Sequence, residues 1–190
     1  MNALADKAAL RNRLRALRRE EAERRPGAAK AAARLAPVDR LPAFACVAAY
    51  HPMGSEMDPE PLVRRLAQTG AMVALPVGVD RHAPLQYRLW DGSDPLTPDA
   101  FGVLCPPLSA PAMRPDLVIV PLLAFDRTGA RLGQGGGTFD RTLQNLRASG
   151  RVFVLGLAYS AQEVEAVPRE PHDERLDAVL TEAAYLEFGD

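Results

Sequence analysis

Four short, uninterrupted apolar runs constrain the fold of this chain more than any other feature of its sequence. They cover residues 44–50, 72–75, 117–120 and 152–155. A run without polar alternation is typical of a strand in a parallel sheet that helices cover on both faces. Helical patterns lie between the first two runs and between the last two, which predicts a three-layer α/β/α arrangement with a largely parallel sheet. Because 190 residues fit one such unit, we predict a single domain over residues 1–190.

Helix signals precede and follow the first apolar run. Residues 5–25 are rich in Ala, Leu, Arg and Glu and end at Pro26-Gly27, which predicts a long N-terminal helix as an extension of the domain. A second helix is expected over residues 28–35. Asp58-Pro59-Glu60 places an N-cap residue before a proline in the first helical position, so we expect another helix from there to Gly70.

The remaining segments give weaker signals. Residues 85–90 alternate apolar and polar side chains before Asp91-Gly92, as in a half-exposed strand that ends at a turn. The proline-rich stretch 94–115 is expected to be a surface loop. Residues 178–188 are expected to supply one last short strand.

Composition excludes several classes of partner. The net charge is −1 at pH 7, so no overall field attracts nucleic acid or an anionic membrane. No apolar run approaches the roughly 18 residues of a membrane-spanning helix, and the N-terminal segment lacks a secretory-signal pattern. Cys46 and Cys105 lack metal-ligand spacing and are expected to be buried, reduced thiols. We therefore predict a cytoplasmic protein without nucleic-acid or membrane partners.

The segment from Arg131 to Asp140 is the strongest candidate for a ligand site. It lies between a buried strand and a helix expected over residues 138–149, where α/β proteins bind their ligands. Glycine occupies four of the five positions 133–137, which lets a phosphate approach backbone N–H groups. The N-terminal end of the helix attracts the same anion, and Arg131 adds a cationic side chain. The segment therefore predicts a site for nucleotide phosphates.

Alternatives stay open for this segment. A P-loop needs Gly-Lys-Ser/Thr and a dinucleotide fingerprint needs glycine where Thr138 stands, so a plain flexible turn is the competing interpretation. Asp140 also has two interpretations. It either complements the dipole of the following helix, or it holds Mg²⁺ beside a bound phosphate.

Charged residues elsewhere could complete such a site. Lys7, Arg11 and Arg18 follow one border of a leucine stripe on the N-terminal helix, where they either reach the domain edge or form a solvated basic face. The stripe consists of Leu10, Leu14 and Leu17. Glu56 follows the first strand and could accept N–H groups of a ligand. No Ser-His-Asp, Cys-His or zinc-ligand spacing is present in the sequence.

In this order, the segments resemble the 5-formyltetrahydrofolate cyclo-ligase family, also called methenyltetrahydrofolate synthetases. That family carries Lys-x-x-x-Arg on its first helix, matched by Lys7 to Arg11, and a glutamate after its first strand, matched by Glu56. Its signature Phe-Asp-x-x-Gly-x-Arg-Leu-Gly-x-Gly-x-Gly-Tyr-Tyr-Asp corresponds to residues 125–140. A His-Asp near the C-terminus matches His172-Asp173. The likeness spans nearly the whole chain.

The resemblance implies a fold similar to that of sugar-phosphate isomerases and CoA transferases, and a reaction that uses ATP and Mg²⁺. In that reaction 5-formyltetrahydrofolate becomes 5,10-methenyltetrahydrofolate, with release of ADP and phosphate. The formyl oxygen attacks the γ-phosphorus to give an imidate phosphate, and N10 then closes the ring as phosphate leaves. Such phosphoryl transfer depends on positioning and charge neutralisation, so the lack of a nucleophilic triad is consistent with it.

The resemblance also implies roles for individual residues. Arg131 and Lys7 are the expected catalytic residues. The expected nucleotide-binding set is Lys7, Arg11, Arg131, Leu132, Gly133, Gln134, Gly135, Gly136, Gly137, Thr138 and Phe139. The expected set for the folate substrate is His51, Glu56, Gln134, Gly135, Thr138 and Phe139. Asp140 and Asp173 are expected to hold Mg²⁺, and we expect a monomer.

The sequence departs from the family pattern just before Asp140. Thr138 and Phe139 replace the paired tyrosines, so one hydroxyl is lost at Phe139 and a whole ring at Thr138. A family member that binds reduced folate or nucleotide without efficient turnover is therefore the alternative function. A sugar-phosphate isomerase or CoA transferase on the same architecture ranks lower, because neither is expected to carry the Lys7 to Arg11 helix or the 131–140 motif.

Overall fold

A computed structural model describes the backbone of residues 3–189 and the side chains of residues 7–189. Its α-helices are α1 (Ala3–Arg24), α2 (Ala28–Leu35), α3 (Glu60–Ala67) and α4 (Thr138–Ala148). The first strands are β1 (Cys46–Ala48), β2 (Met72–Val77), β3 (Gln86–Leu89), β4 (Thr97–Pro98), β5 (Leu104–Cys105) and β6 (Ala112–Met113). The later ones are β7 (Leu117–Pro121), β8 (Ala124–Phe125), β9 (Arg131–Leu132), β10 (Phe153–Leu157), β11 (Ala178–Leu180) and β12 (Tyr185–Glu187).

The main sheet has eight strands in the order β12-β11-β10-β7-β1-β2-β3-β6. Its five central strands, β11 to β2 in that order, pair in parallel. The edge strands β12, β3 and β6 pair antiparallel to their neighbours. The predicted three-layer α/β arrangement with a largely parallel sheet is confirmed.

Alternating residues of the central strands fill the two core layers. Val47 and Ile119 pack on the face that α2 and α3 cover, whereas Ala48 and Val118 pack on the face covered by α4. All four side chains are buried. A strand that is covered on both faces needs apolar residues at every position, which explains the uninterrupted runs in the sequence.

The N-terminal helix α1 packs against a small hairpin outside the main sheet. Strands β8 and β9 form that hairpin, with Phe125 opposite Arg131. Leu14 is buried against Leu123 and Leu132, and the other two leucines of the stripe pack at its edge. The leucine stripe therefore fixes the helix across the segment that leads to the glycines.

Some predicted boundaries are wrong by a few residues. The first strand covers only Cys46–Ala48, because the chain leaves the sheet before Tyr50. Helix α3 begins at Glu60 with Pro59 as its N-cap, so Asp58 is not the cap residue itself. Its carboxylate still accepts the Glu60 N–H at 3.0 Å. The helix stops at Ala67, and Gly70 follows with a positive φ.

Three segments contain more structure than the sequence predicted. The stretch 94–115 holds the β4–β5 hairpin and strand β6, which pairs with β3. Residues 178–188 form two antiparallel strands, because the Thr181 hydroxyl accepts the N–H groups of Ala183 and Ala184 and turns the chain. Arg131 lies on strand β9, ahead of the glycines. Within residues 3–189, no helix is both long and apolar enough to cross a membrane.

Candidate active site

The carboxyl ends of the central parallel strands open into a cavity of about 340 Å³. Tyr50 follows β1 into its wall, Pro76 and Pro121 line it near the ends of β2 and β7, and α1 and the glycines close it. This is the position at which α/β sheets bind their ligands. All the predicted site residues line this one cavity: Lys7, Arg11, His51, Glu56, Arg131, Leu132, Gly133, Gln134, Gly135, Gly136, Gly137, Thr138, Phe139, Asp140 and Asp173.

A buried carboxylate, that of Asp126, builds the hairpin that presents Arg131. Its Oδ1 accepts the N–H of Thr128 at 2.8 Å and that of Ala130 at 3.3 Å, while Oδ2 accepts the N–H of Val167 at 2.8 Å. Burial opposes the charge, but these hydrogen bonds and that of the Thr128 hydroxyl outweigh it, so the pKa of Asp126 is lowered. The turn is thereby locked in a single geometry.

Arg131 is a buried cation with spare hydrogen-bonding capacity. Its Nη2 lies 2.6 Å from Oδ1 of Asp140, and the residue is only 7% exposed. Burial lowers the pKa of Arg131, opposed by the charges of Asp140 and Asp173, and the guanidinium remains charged at neutral pH. Its Nε is buried without a hydrogen-bond partner among the described residues. A buried donor without an acceptor is costly, so this side chain suits an anionic ligand.

The glycine segment forms a concave backbone surface beside Arg131. Gly135 has a φ of +106° and Gly137 a φ of +63°, conformations that favour glycine. The Arg11 guanidinium carbon lies 3.3 Å from where a Cβ on Gly135 would be, and its Nε donates to the Gly133 carbonyl at 3.2 Å. Within the described part of the chain, no acceptor takes the backbone N–H groups of residues 133–137. Free backbone donors at the start of α4 favour a phosphate-binding segment over a plain turn.

Lys7, on helix α1, is a further cation that lines the cavity beside Arg11 and Arg131. It is 7% exposed, and its Nζ lies 3.1 Å from Oε1 of Glu170 and 3.8 Å from Oδ2 of Asp173. Arg18, further along the helix, is 5% exposed. The alternative of a solvated basic face is therefore wrong for Lys7 and Arg18, which face the cavity.

Glu56 and Arg18 form a buried ion pair on the other side of the cavity. Nη1 of Arg18 lies 3.3 Å from Oε1 of Glu56, and its Nε donates to the Ser55 hydroxyl at 3.1 Å. Oε2 of Glu56 accepts the Met53 N–H at 3.0 Å. Burial and the nearby Glu56 charge raise the pKa of the Tyr50 hydroxyl, which stays protonated. The Glu56 carboxylate is thus held in a fixed direction.

The two predicted metal ligands lie in the same cavity but are engaged with other groups. Oδ1 of Asp140 also accepts the Glu174 N–H at 3.1 Å. Oδ2 of Asp173 accepts the Glu170 N–H at 2.7 Å. Glu170, His172 and Asp173 can bring ligand atoms within 4.8 Å of one another, and Asp140 is outside that group. A role of Asp140 and Asp173 in holding Mg²⁺ stays a prediction.

Several residues of the cavity were not predicted from the sequence. Glu170 was missed because only its position two residues before His172 marked it. Asp99 and Phe101 also line the cavity, and both belong to the stretch 94–115 that the sequence predicts as a surface loop. Oδ2 of Asp99 accepts the Gly78 N–H at 2.9 Å, and a Cβ on Gly78 would lie 2.5 Å from the Phe101 ring. These contacts join residues that are far apart in the sequence, so no local sequence pattern predicts them.

The fold and cavity together define an α/β protein whose cavity is lined by buried cations, glycine backbone and the Glu56 carboxylate. The sequence profile described as the 5-formyltetrahydrofolate cyclo-ligase family matches residues 3–182. The chain therefore belongs to the 5-formyltetrahydrofolate cyclo-ligase family.

Relatives in sequence and structure agree with this assignment. The 5-formyltetrahydrofolate cyclo-ligase of Mycolicibacterium smegmatis is 38% identical over 71% of this chain and 72% of its own. The 5-formyltetrahydrofolate cyclo-ligase of Escherichia coli K12 is 35% identical, and the alignment covers 75% of this chain and 80% of the relative. The structure of Aquifex aeolicus 5,10-methenyltetrahydrofolate synthetase superposes with a TM-score of 0.76 at 28% identity, covering 97% of this chain and 93% of that one. The structure of a 5,10-methenyltetrahydrofolate synthetase from Mycoplasma pneumoniae shares the fold, with a TM-score of 0.70 at 20% identity. The superposition covers 93% of this chain and 99% of that one.

Proposed function

We propose that this protein is an ATP-dependent cyclo-ligase that converts 5-formyltetrahydrofolate to 5,10-methenyltetrahydrofolate, releasing ADP and phosphate. One observation carries the proposal beyond family membership. The cationic glycine cradle beside Arg131 and the fixed carboxylate of Glu56 line the same cavity. A site of this kind can bring a polyphosphate and a polar ring system into contact.

The phosphate side of the site consists of three cations and the backbone donors. Arg131, Arg11 and Lys7 all line the cavity, and the Arg11 guanidinium lies against Gly135. Together with the free N–H groups of residues 133–137, they would hold the phosphates of ATP. Lys7 would exchange its pairing with Glu170 for the terminal phosphate.

The acidic side chains near Lys7 fit a hard cation. Asp140 and Asp173 supply carboxylate oxygens, the ligands that Mg²⁺ prefers beside phosphate, and Glu170 lies close by. Bound Mg²⁺ would neutralise charge on the phosphate oxygens. Asp140 also forms a 2.6 Å ion pair with Arg131, which would hold its carboxylate beside the phosphates.

The folate side is organised by Glu56. Its carboxylate would accept N–H groups of the pterin ring, and His51, Thr138 and Phe139 would complete the wall. A fixed pterin would place the formyl oxygen near the terminal phosphorus. An O–P bond then forms as ADP leaves, N10 attacks the formyl carbon, and the carbon–oxygen bond breaks to release phosphate. The N10 proton is lost, and the former formyl oxygen leaves with the phosphate.

The alternative is a binding protein without efficient turnover, which the exchange of two tyrosines for Thr138 and Phe139 favours. Incubation with Mg-ATP and 5-formyltetrahydrofolate separates the two, because methenyltetrahydrofolate absorbs in the near ultraviolet. We expect absorbance to rise with time in proportion to protein concentration. ATP binding without any rise at saturating folate would support the binding protein. A monomeric state and a cytoplasmic location stay predictions of the sequence.

A further inference from the structure

Glu170 places a carboxylate against a cation that the proposed reaction uses to bind phosphate. Its Oε1 lies 3.1 Å from Nζ of Lys7, and both residues line the cavity of the candidate active site. The Lys7 side chain is only 9% exposed. An ammonium group that is buried to this extent needs a counter-ion, because an unpaired buried charge is strongly destabilising. When no nucleotide is bound, Glu170 therefore supplies the negative charge that a phosphate would bring.

A tight turn over residues 170–173 holds the Glu170 carboxylate in this place. The Glu170 N–H donates to Oδ2 of Asp173 at 2.7 Å, and the Asp173 N–H donates to the Glu170 carbonyl at 3.0 Å. Pro171 is the second residue of the turn, where its fixed φ is favourable. The turn brings two carboxylates to Lys7, since Oδ2 of Asp173 also lies 3.8 Å from its Nζ.

Of these two carboxylates, that of Glu170 is the one that can leave Lys7. Its side chain is 42% exposed, whereas that of Asp173 is 21% exposed and its Oδ2 is held by the backbone of the turn. Water can solvate the Glu170 carboxylate once it turns away from the ammonium. An ion pair with one exposed partner is also weak enough to be exchanged. The flexible stem of Lys7 lets its compact charge move from a carboxylate to a phosphate.

Two other ion pairs line the cavity, and they differ from Lys7–Glu170 in burial. Both side chains of the Arg18–Glu56 pair are 6% exposed, and those of the Arg131–Asp140 pair are 3% and 18% exposed. Separating either pair would leave a charge buried without a partner, which is costly. Arg131 also has several N–H donors, so it can bind a phosphate without leaving Asp140. An exchange of partners is therefore easiest at Lys7.

We propose that Glu170 competes with the terminal phosphate of ATP for Lys7, and that this competition sets the affinity of the site for ATP relative to ADP. The proposal rests on the proposed function, in which Lys7 binds that phosphate. ATP has to displace Glu170 from Lys7, which weakens its net binding. ADP lacks the third phosphate, so the Lys7–Glu170 pair stays closed when ADP is bound. After the transferred phosphate has left, the Glu170 carboxylate returns to Lys7 and balances its charge again.

Isothermal titration with Mg-ATP and with Mg-ADP, without folate, tests the role of Glu170. The variant Glu170→Gln keeps the size of the side chain and removes its charge, and Asp173 remains beside Lys7 as a counter-ion. We expect this variant to bind ATP at least about threefold more tightly than the wild type, the change that corresponds to one partly exposed ion pair. ADP affinity should stay unchanged, because ADP does not break the pair.

A double-mutant cycle with Lys7→Met shows whether the effect passes through Lys7. Met keeps most of the apolar stem of the lysine, and the exposed Glu170 can turn to water. Lys7→Met alone should weaken ATP binding, and adding Glu170→Gln should give no further gain, because no ammonium is left to compete for. Glu165→Gln is the matched control: it removes an exposed carboxylate from the same connection between β10 and β11, outside the cavity. This control should bind ATP like the wild type.

Several results would overturn the competition between Glu170 and ATP. They are an unchanged ATP affinity in Glu170→Gln, an equal gain for ATP and ADP, and a gain that persists in the Lys7→Met background. Weaker binding of Mg-ATP by Glu170→Gln would assign Glu170 to the metal ion and would overturn it as well.

The binding measurement separates this proposal from the proposed function. Cyclisation of folate by the wild type, with an ATP affinity that does not respond to Glu170→Gln, defeats the competition and leaves the proposed function intact. Tighter ATP binding by Glu170→Gln, without cyclisation by the wild type, defeats the proposed function and supports the competition. If the wild type and the variants bind neither nucleotide, both fail.

Discussion

Nη1 of Arg18 lies 3.3 Å from Oε1 of Glu56, and each side chain is only 6% exposed. The pair joins helix α1, which carries Lys7 and Arg11, to the loop that follows β1. This buried contact therefore connects the proposed phosphate side of the cavity to the proposed folate side. A change in this pair should affect the folate side first, because Lys7 and Arg11 keep their own contacts.

Glu56→Gln keeps the shape of the side chain and removes its charge. We expect folate KM to rise by tenfold or more, and ATP affinity to change little, because a charge-assisted hydrogen bond contributes about 1.5–3 kcal/mol. Steady-state kinetics with each substrate varied in turn measure both. A wild-type folate KM in this variant would contradict the role of Glu56.

Arg18→Met should destabilise the protein by about 3–5 kcal/mol, because it leaves the Glu56 carboxylate buried and unpaired. The double variant Arg18→Met/Glu56→Gln should recover part of that loss. Denaturant unfolding of the two single variants and the double variant measures the coupling free energy. Arg19→Met, on the exposed side of the same helix, is the control and should leave stability unchanged. Additive losses in the cycle would show that the two side chains do not interact.

Arg131→Ala should weaken ATP binding by more than about 1 kcal/mol, since it removes a buried cation from the lining of the cavity. Isothermal titration with ATP gives the dissociation constant. Arg127→Ala is a matched control on the same hairpin, because Arg127 is exposed and pairs with Glu163. Equal ATP affinity in the Arg131 and Arg127 variants would remove Arg131 from the phosphate site.

Thr138→Tyr and Phe139→Tyr restore the two tyrosines that the family signature carries before Asp140: the first adds an aromatic ring, and the second adds a hydroxyl. Both positions line the cavity between the glycines and the folate side. We expect the folate KM to fall in at least one of the variants by a few fold, the value of one neutral hydrogen bond of about 1 kcal/mol. ATP affinity should be unchanged. If neither substitution alters folate KM, the two positions do not contact the folate.

Asp126→Asn should lower the free energy of unfolding by about 1–3 kcal/mol at neutral pH, because backbone N–H groups lose a charged acceptor. The pKa of Asp126 is lowered in the folded protein, so its stabilisation is present above the unfolded pKa of about 3.8. The stabilisation is lost as the pH falls through the still lower folded pKa. Urea unfolding of the variant and the wild type should therefore diverge at pH 7 and converge in strong acid. A difference that is the same at both pH values would rule out the charge as its cause.

The cysteine thiols should react slowly with alkylating reagents at neutral pH. Burial, with the charge of Asp116, raises the pKa of Cys46 to about 11, and burial also raises that of Cys105. Both are free and buried. Because the thiolate is the reactive form, native protein should label far more slowly than protein unfolded in guanidinium. Labelling at equal rates in the two states would contradict their burial.

The sequence predicted the central sheet well, because strands covered on both faces must be apolar throughout. Val47 and Ala48 illustrate this, since adjacent residues enter opposite core layers. The two-residue strands β4, β5, β6, β8 and β9 were not predicted, because they are too short to show any periodicity. Their pairing depends on residues such as Asp126, whose hydrogen bonds reach as far as Val167.

The site was predictable where a local motif carries it and not where distant segments meet. The glycines and Arg131 form one continuous segment, so the sequence alone singled out residues that line the cavity together. Lys7 meets Glu170, and Arg18 meets Glu56, only because α1 lies across the hairpin. The leucine stripe on α1 singled out Lys7 and Arg18, but their acidic partners lie on distant segments, so the sequence left a solvated basic face as an alternative.

The most direct measurement of the central claim is the stoichiometry of the reaction in a single sample. Purified protein is mixed with Mg-ATP and 5-formyltetrahydrofolate, and methenyltetrahydrofolate, ADP and phosphate are quantified together. We predict that the three products form in equal amounts, and that Arg131→Ala slows all three equally at limiting ATP. Folate binding with no methenyltetrahydrofolate formed, or ATP hydrolysis at an unchanged rate without folate, would contradict the account.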